Sequence, residues 1–267
     1  MKLDATIQIE VSQTDALFQD AEEHAVRVEV SNSEITPLDS FVEVIEEGAR
    51  NLGMTPEEII KRLGVVRVSM PAVVETIVAK RLGTVMGVIV TDKEETTVFH
   101  KNAGPNPLFD FLVSPEMVVS VKEEVSQDGQ LVLGPDREVI RDRVRYLLEH
   151  GAGALVVSFK NSHLNPINEK TVKELIQSDY PRHYLGAVPV FISSDFGSGQ
   201  DDFTRTHHCL LNVYCWAGVD DTISRMESYL RDRKFMGSFL ISNANGSAVP
   251  RAGLVPLDTS RSIASLR

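Results

Sequence analysis

The stretch IQIEVSQTD, residues 7–15, alternates apolar and polar positions and then reaches a threonine and an aspartate. Alternation with a period of two marks a half-buried strand, and a strand running into such a pair reads as the approach to a phosphate-holding turn. Turns of that kind are built on glycine. Backbone N–H groups must come close to phosphate oxygens, often at positive φ, and a Cβ obstructs both. This stretch contains no glycine. The rest of the chain decides whether the frame has been kept without the chemistry.

Working outward, strand-like runs recur at VRVEV (26–30), VVRVS (65–69), TVMGVIVT (84–91), MVVSV (117–121), ALVVSF (154–159), VPVFIS (188–193) and SFLIS (238–242). Several are rich in Val and Ile without strict alternation, as strands covered on both faces are. Helical patterns lie between them. Thr36-Pro37 opens one, with Phe41, Ile45, Ala49 and Leu52 on one face, and Thr55-Pro56 opens the next, with Glu58 completing a capping box. Another runs from Asp136 to Gly151, with Ile140, Val144, Leu147 and Leu148 inward, and one follows Asn165-Pro166. The longest carries Val219, Ile223, Met226 and Leu230 in phase. Strands alternating with helices imply an α/β fold with a parallel or mixed sheet. The loop GPNPLFDFLVSP (104–115) is the expected boundary between two lobes, residues 1–105 and 106–267.

Composition narrows the function classes. The chain has 267 residues, 42% of them apolar, enough for a sizeable core. With 38 acidic against 27 basic residues the formal charge is −11, which repels a phosphate backbone, so nucleic acid is not an expected partner. The start MKLDATIQIE lacks the apolar centre of a signal peptide, and no apolar run approaches the roughly 20 residues that span a bilayer. A cytoplasmic protein without a membrane partner is the expectation. The two cysteines, Cys209 and Cys215, are expected to be reduced.

Four stretches, in order, carry a resemblance. HGAGALVVSFKNSHLNPINEKTVKEL is similar to a pattern GxxAxAVxLLxSxxNPxHE, with Asn165, Pro166 and Glu169 matching and Asn168 standing where histidine is usual. SSDFGSGQDDFTRTHHCLLNVYCW is similar to SSExxPxxxEYERxxTTxxNAY at Ser193, Ser194, Arg205, Thr206, Asn212 and Tyr214. SFLISNANGSAV resembles xxIMQSNGG at Asn245 and Gly246, and EEVSQDGQL resembles ERVDxxG at Glu123, Val125 and Gly129, with Glu124 in the place of arginine. Together they resemble the large subunit of the hydantoinase/oxoprolinase family, which includes ATP-dependent hydantoinases, oxoprolinases and the acetone and acetophenone carboxylases.

The resemblance implies an actin/hexokinase-like, ribonuclease H-like first lobe with a mixed sheet, followed by a second α/β lobe. It also shows where this chain departs. The family's opening IGIDVGGTFTD corresponds to Ile7 through Thr14: its two glycines are Ser12 and Gln13 here, and its metal-orienting aspartate is Glu10. A longer acid shifts the carboxylate by a methylene, and octahedral magnesium tolerates little displacement. The family's HGTTxAxN corresponds to SMPAVVET (69–76), so that Met70, Pro71 and Ala72 replace Gly-Thr-Thr. Proline removes an N–H donor, and both threonine hydroxyls are gone. The adenosine-side lobe, which in the family begins near SGPAGG, would start where this sequence ends in PLDTSRSIASLR. The expectation is a lost phosphate site, no cofactor and no catalytic residue in this chain, and ATP and magnesium on partner subunits.

The implied role is an accessory subunit of an ATP-dependent ketone carboxylase, in a hetero-oligomer with full-length hydantoinase-type A and B subunits. A subunit of an ATP-dependent cyclic amidohydrolase is the alternative, and so is a small stand-alone enzyme with a pocket near Arg205, Asn212 and Asn245. His207, His208, Cys209 and Cys215 are zinc or copper ligand types, weighed against ordinary packing, and no metal site is expected. Asp201, Asp202 and Arg205 read as a helix start or an interface. FGSGQ (196–200) is the nearest approach to a nucleophile elbow and does not match it. The acid pairs in EVIEEG, TDKEE and SVKEEV read as solvated faces.

Overall fold

Residues 2–32, 36–80, 82–101, 104–105, 111–180, 188–197, 201–242, 247–251 and 256 are described by a computed structural model. The opening stretch forms the first two strands of a meander. β1 (Leu3–Ile9) turns at Glu10 to Ser12 into β2 (Gln13–Asp20), which turns into β3 (Ala25–Ser31), with Ile9 opposite Thr14 and Ala16 opposite Val28. The second strand was not among the runs read from the sequence. Its inward residues Thr14, Ala16 and Phe18 alternate correctly, but the alternation begins inside the presumed turn.

Helix α1 (Pro37–Asn51) starts at Thr36, whose hydroxyl accepts from the Asp39 N–H while the Asp39 carboxylate accepts from the Thr36 N–H. The same reciprocal cap joins Thr55 and Glu58 at α2 (Pro56–Arg62). The apolar face of α1 buries Phe41, Val44, Ile45 and Ala49. Gly48 is required there, because a Cβ at this position would stand 2.3 Å from the Phe18 ring. β4 (Leu63–Ser69) pairs in parallel with β1, and α3 (Pro71–Lys80) follows at once.

The chain then builds a separate sheet. β5 (Met86–Thr91) is followed by the two-residue strands β6 (His100–Lys101) and β7 (Gly104–Pro105), then β8 (Val118–Val121), the small ladder of β9 (Glu124–Val125) with β10 (Leu131–Leu133), and α4 (Arg137–Glu149). β11 (Ala154–Ser158), α5 (Ile167–Asp179) and β12 (Val190–Ile192) complete a four-stranded parallel sheet in the order β12-β11-β5-β8. Every residue of β11 is buried, as expected of a central parallel strand. After the long helix α6 (Asp202–Asp232), β13 (Ser238–Ser242) pairs in parallel with β4 and antiparallel with β14 (Ala248–Val249). The first sheet is therefore mixed, in the order β14-β13-β4-β1-β2-β3.

Two compact units result, Met1–Leu82 with Cys215–Arg267, and Gly83–Tyr214. The division differs from the boundary expected at residue 105. Strand pairing decides it: β13 adds to β4, which draws the last part of the chain back into the first unit, while β5 pairs with β8 and β11. Among the described residues no helix is long and apolar enough to cross a membrane.

Candidate functional site

In the first unit, the residues matched to phosphate-holding motifs lie at the ends of β1 and β4, where Gln8 is in register with Ser69. The turn between β1 and β2 closes with the Glu10 N–H donating to the Gln13 carbonyl at 2.9 Å, and no residue from Glu10 to Gln13 has positive φ. Asn32, just beyond β3, holds this turn from the side. Its N–H donates to the Ser12 carbonyl at 2.9 Å, its amide donates to the Glu10 carbonyl at 2.5 Å, and its side-chain oxygen accepts the Thr14 hydroxyl at 3.0 Å. The Thr14 proton is thus committed within the protein. The Glu10 carboxylate accepts from the Gln8 amide, and the Gln13 amide donates to Asp15, which Arg27 also contacts at 3.2 Å.

Beyond β4, Pro71 is the first residue of α3, and Met70, Pro71 and Ala72 are all buried. Proline fits the first helical position because its missing N–H would have no intrahelical partner there. For the same reason it offers nothing to an anion at that helix end. Ser69 Oγ is fully buried, with no hydrogen-bond partner among the described residues.

In the second unit the motif residues converge on a buried polar network. Glu169, on α5, is fully buried and accepts from the Phe159 N–H at 2.9 Å, the Ser193 hydroxyl at 2.7 Å and the Ser194 N–H at 3.0 Å. Ser193 in turn accepts from Arg205 Nε at 3.0 Å. The Arg205 guanidinium, also fully buried, donates to the Phe159 carbonyl at 3.0 Å, to Asp202 at 2.6 Å and to His163 Nδ1 at 3.3 Å. Such a charge needs these partners, because burying it unpaired is costly.

A second cluster surrounds Glu123, whose carboxylate accepts from the Thr91 hydroxyl and from the Asn168 amide at 2.7 Å. Burial raises its pKa, and the charges of Glu169 and Glu124 act in the same direction. Asn168 stands where the resembling family has histidine, and its amide also donates to the Leu133 carbonyl at 3.0 Å. Asn161, in the left-handed region at φ 57, donates to the Val125 carbonyl at 2.8 Å, and Asn165 to the Gly129 carbonyl at 2.9 Å. Three asparagine amides thereby hold the β9–β10 hairpin. Sequence reading marked Asn165 and Asn168 and missed Asn161, whose only local signal is its place in a polar loop after a buried strand.

The sequence suggests a pocket near Arg205, Asn212 and Asn245. Arg205 and Asn212 have no exposed surface, and the Asn212 amide donates to the His208 carbonyl at 2.8 Å. Asn245 lies outside the described residues. The soft-ligand cluster is likewise occupied with packing. His207 places its two ring nitrogens 2.8 Å and 2.7 Å from the carbonyls of Phe203 and Val98, and His208 Nδ1 lies 2.8 Å from the Phe196 carbonyl. Burial pushes the Cys209 thiol up, and it pushes that of Cys215 up to about 11. Asp202 and Arg205 sit in the first turn of α6, as a helix start requires, and form an ion pair.

The profile of the hydantoinase/oxoprolinase N-terminal region matches residues 7–180, well over half of the chain. The acetophenone carboxylase gamma subunit of Aromatoleum aromaticum is 28% identical over 255 residues, covering 87% of this chain and 34% of its own length. Among solved structures, nucleotide-free acetone carboxylase aligns with a TM-score of 0.75 at 20% identity, over 96% of this chain and 39% of its own. The ATP-dependent caprolactamase of Pseudomonas jessenii aligns with a TM-score of 0.73 at 19% identity, over 93% and 36%. This chain thus spans about a third of the length of the proteins it matches. Its fold is mixed α/β, of the actin/hexokinase-like kind.

Proposed function

This chain belongs to the hydantoinase/oxoprolinase family, and from that premise we propose that it is a non-catalytic accessory subunit of an ATP-dependent ketone carboxylase, cytoplasmic and assembled with full-length A- and B-type subunits that bind the nucleotide and magnesium. The observation that carries this reading is the turn between β1 and β2. A phosphate cradle needs free N–H groups on bare backbone. Here Ser12 and Gln13 supply side chains instead, the Glu10 N–H closes the turn, and the Thr14 hydroxyl donates to Asn32. Pro71 removes a donor at the second position where phosphate would be held. The orphan Ser69 hydroxyl is a single neutral donor and cannot replace two such sets of contacts.

The named relatives, an acetophenone carboxylase subunit at 28% identity and acetone carboxylase in structure, support the ketone carboxylase reading. The caprolactamase likeness supports a second reading, in which the chain serves an ATP-driven cyclic amidohydrolase. Isothermal titration calorimetry of the purified chain with Mg-ATP tests the shared core of both. No heat of binding is expected at millimolar nucleotide. Saturable binding, or ATP turnover by the chain alone, would overturn the non-catalytic role.

A further inference from the structure

The second unit carries a groove at the edge of its parallel sheet, apart from the buried network around Glu169. β8 is the outermost strand there, paired with β5 alone among the described residues. The Val121 carbonyl accepts the Asp92 N–H at 2.9 Å, on the β5 side. Peptide groups of successive strand residues point to alternate sides, so the N–H and C=O of Ser120 face the open edge. Beside that edge lies a groove of about 400 Å³. It is lined by Val118 to Ser120 of β8, by Arg143 and Tyr146 of α4, and by Glu95 and Glu116 from the short turns Glu95–Val98 and Pro115–Met117.

The charges lining this groove are unpaired. On the same helix, Arg141 bonds to Glu138 and Asp179, and Arg145 to Asp142. Arg143 stands between them without an ion-pair partner among the described residues, although two carboxylates line the same groove, and neither Glu95 nor Glu116 has one. A guanidinium and two carboxylates are thus kept apart around one concavity, with their hydrogen-bonding capacity open to a ligand. Tyr146, one helical turn from Arg143, adds an aromatic ring. The His150 ring stacks on it with centroids 4.0 Å apart and planes at 31°, while His150 Nδ1 lies 2.7 Å from the Tyr146 carbonyl, so the pair is held in place.

We propose that this groove binds a small zwitterionic peptide of dipeptide size, extended along β8. Local charge selects the ligand. A simple anion would face two carboxylates and a simple cation a guanidinium, whereas a molecule carrying both charges complements all three groups. Its carboxylate meets Arg143, whose planar fork suits two carboxylate oxygens. Its ammonium meets Glu95 and Glu116, its amide pairs with the Ser120 N–H and C=O as one residue of an added strand, and its side chain packs on the Tyr146 ring. The volume is at the small end of ligand pockets, and the terminus of a protein chain would bring only one of the two charges. The proposal concerns the second unit alone and stands whether or not the chain is an accessory subunit.

Nuclear magnetic resonance titration of the full ¹⁵N-labelled chain with the dipeptide glycyl-leucine tests it. Saturable shifts of the amide signals of residues 118–120 are expected. N-acetylglycyl-leucine, which lacks the ammonium, and glycyl-leucinamide, which lacks the carboxylate, should each bind about tenfold more weakly or worse. Arg143→Met, and separately the double variant Glu95→Gln, Glu116→Gln, should weaken glycyl-leucine by a similar factor at an unchanged melting temperature, since none of the three side chains holds an ion pair among the described residues. The absence of saturable shifts at residues 118–120 overturns the site. Equal affinity for the capped peptides overturns the zwitterion as its ligand, and undiminished binding by either variant overturns the contacts assigned to it.

Discussion

Replacing Glu169 by leucine should destabilise the second unit severely. The fully buried carboxylate accepts from two backbone N–H groups, of Phe159 and Ser194, and from the Ser193 hydroxyl that links it to Arg205. A buried donor left without a partner costs about 1–3 kcal/mol, and two backbone N–H groups lose theirs. Ser193 can turn its proton elsewhere and Arg205 keeps Asp202 at 2.6 Å, so they add little. A loss of about 3–5 kcal/mol follows. Urea unfolding followed by far-UV circular dichroism would show it as a midpoint lowered by about 2 M, for an m-value of about 2 kcal/mol per M. The double variant Glu169→Leu, Arg205→Met should cost about 1–3 kcal/mol less than the summed single effects, since the Ser193 hydroxyl couples the two side chains. A Glu169→Leu loss under about 1 kcal/mol, or strict additivity in the cycle, would refute the view that these contacts hold the unit together.

Glu123, whose folded pKa is raised above its ordinary value of 4.5 chiefly by burial, contributes stability that is fully present below that value and lost as pH rises through the folded pKa. Urea titrations across pH should therefore show wild type losing stability relative to Glu123→Gln as pH climbs above 4.5, and parallel pH profiles would contradict this. Thr36→Ala removes the hydroxyl end of the α1 capping box and should cost about 1 kcal/mol, read as a shift in the thermal midpoint. Gly48→Ala, which sets a Cβ 2.3 Å from the Phe18 ring, should cost about 1–3 kcal/mol despite the better helix propensity of alanine, and a stabilised variant would show that the ring moves freely.

Local pattern reached far into this fold. The Val- and Ile-rich runs became β4, β5, β8, β11, β12 and β13, and the threonine-proline starts became α1 and α2, because these depend on periodicity and on capping chemistry within a few residues. The strand β2 was hidden because one hairpin joins two short alternations whose phases meet across the turn. Helix α3 is hidden because SMPAVVET resembles a phosphate motif, whereas Pro71 begins a helix there.

By itself, the sequence determined which residue types stand where a phosphate turn would need bare backbone, and that Asn165, Glu169, Ser193 and Arg205 form a set. Whether those four face a ligand or one another was a matter of long-range geometry. Tertiary structure brings α5, the end of β12 and the start of α6 together, so that the Glu169 carboxylate, the Ser193 hydroxyl and the Arg205 guanidinium bond to one another, while Asn165 turns to the Gly129 carbonyl. It likewise sent β13 back to β4 across more than 150 residues of chain, a pairing that no local signal encodes, because strand partners are chosen by the packing of whole sheets.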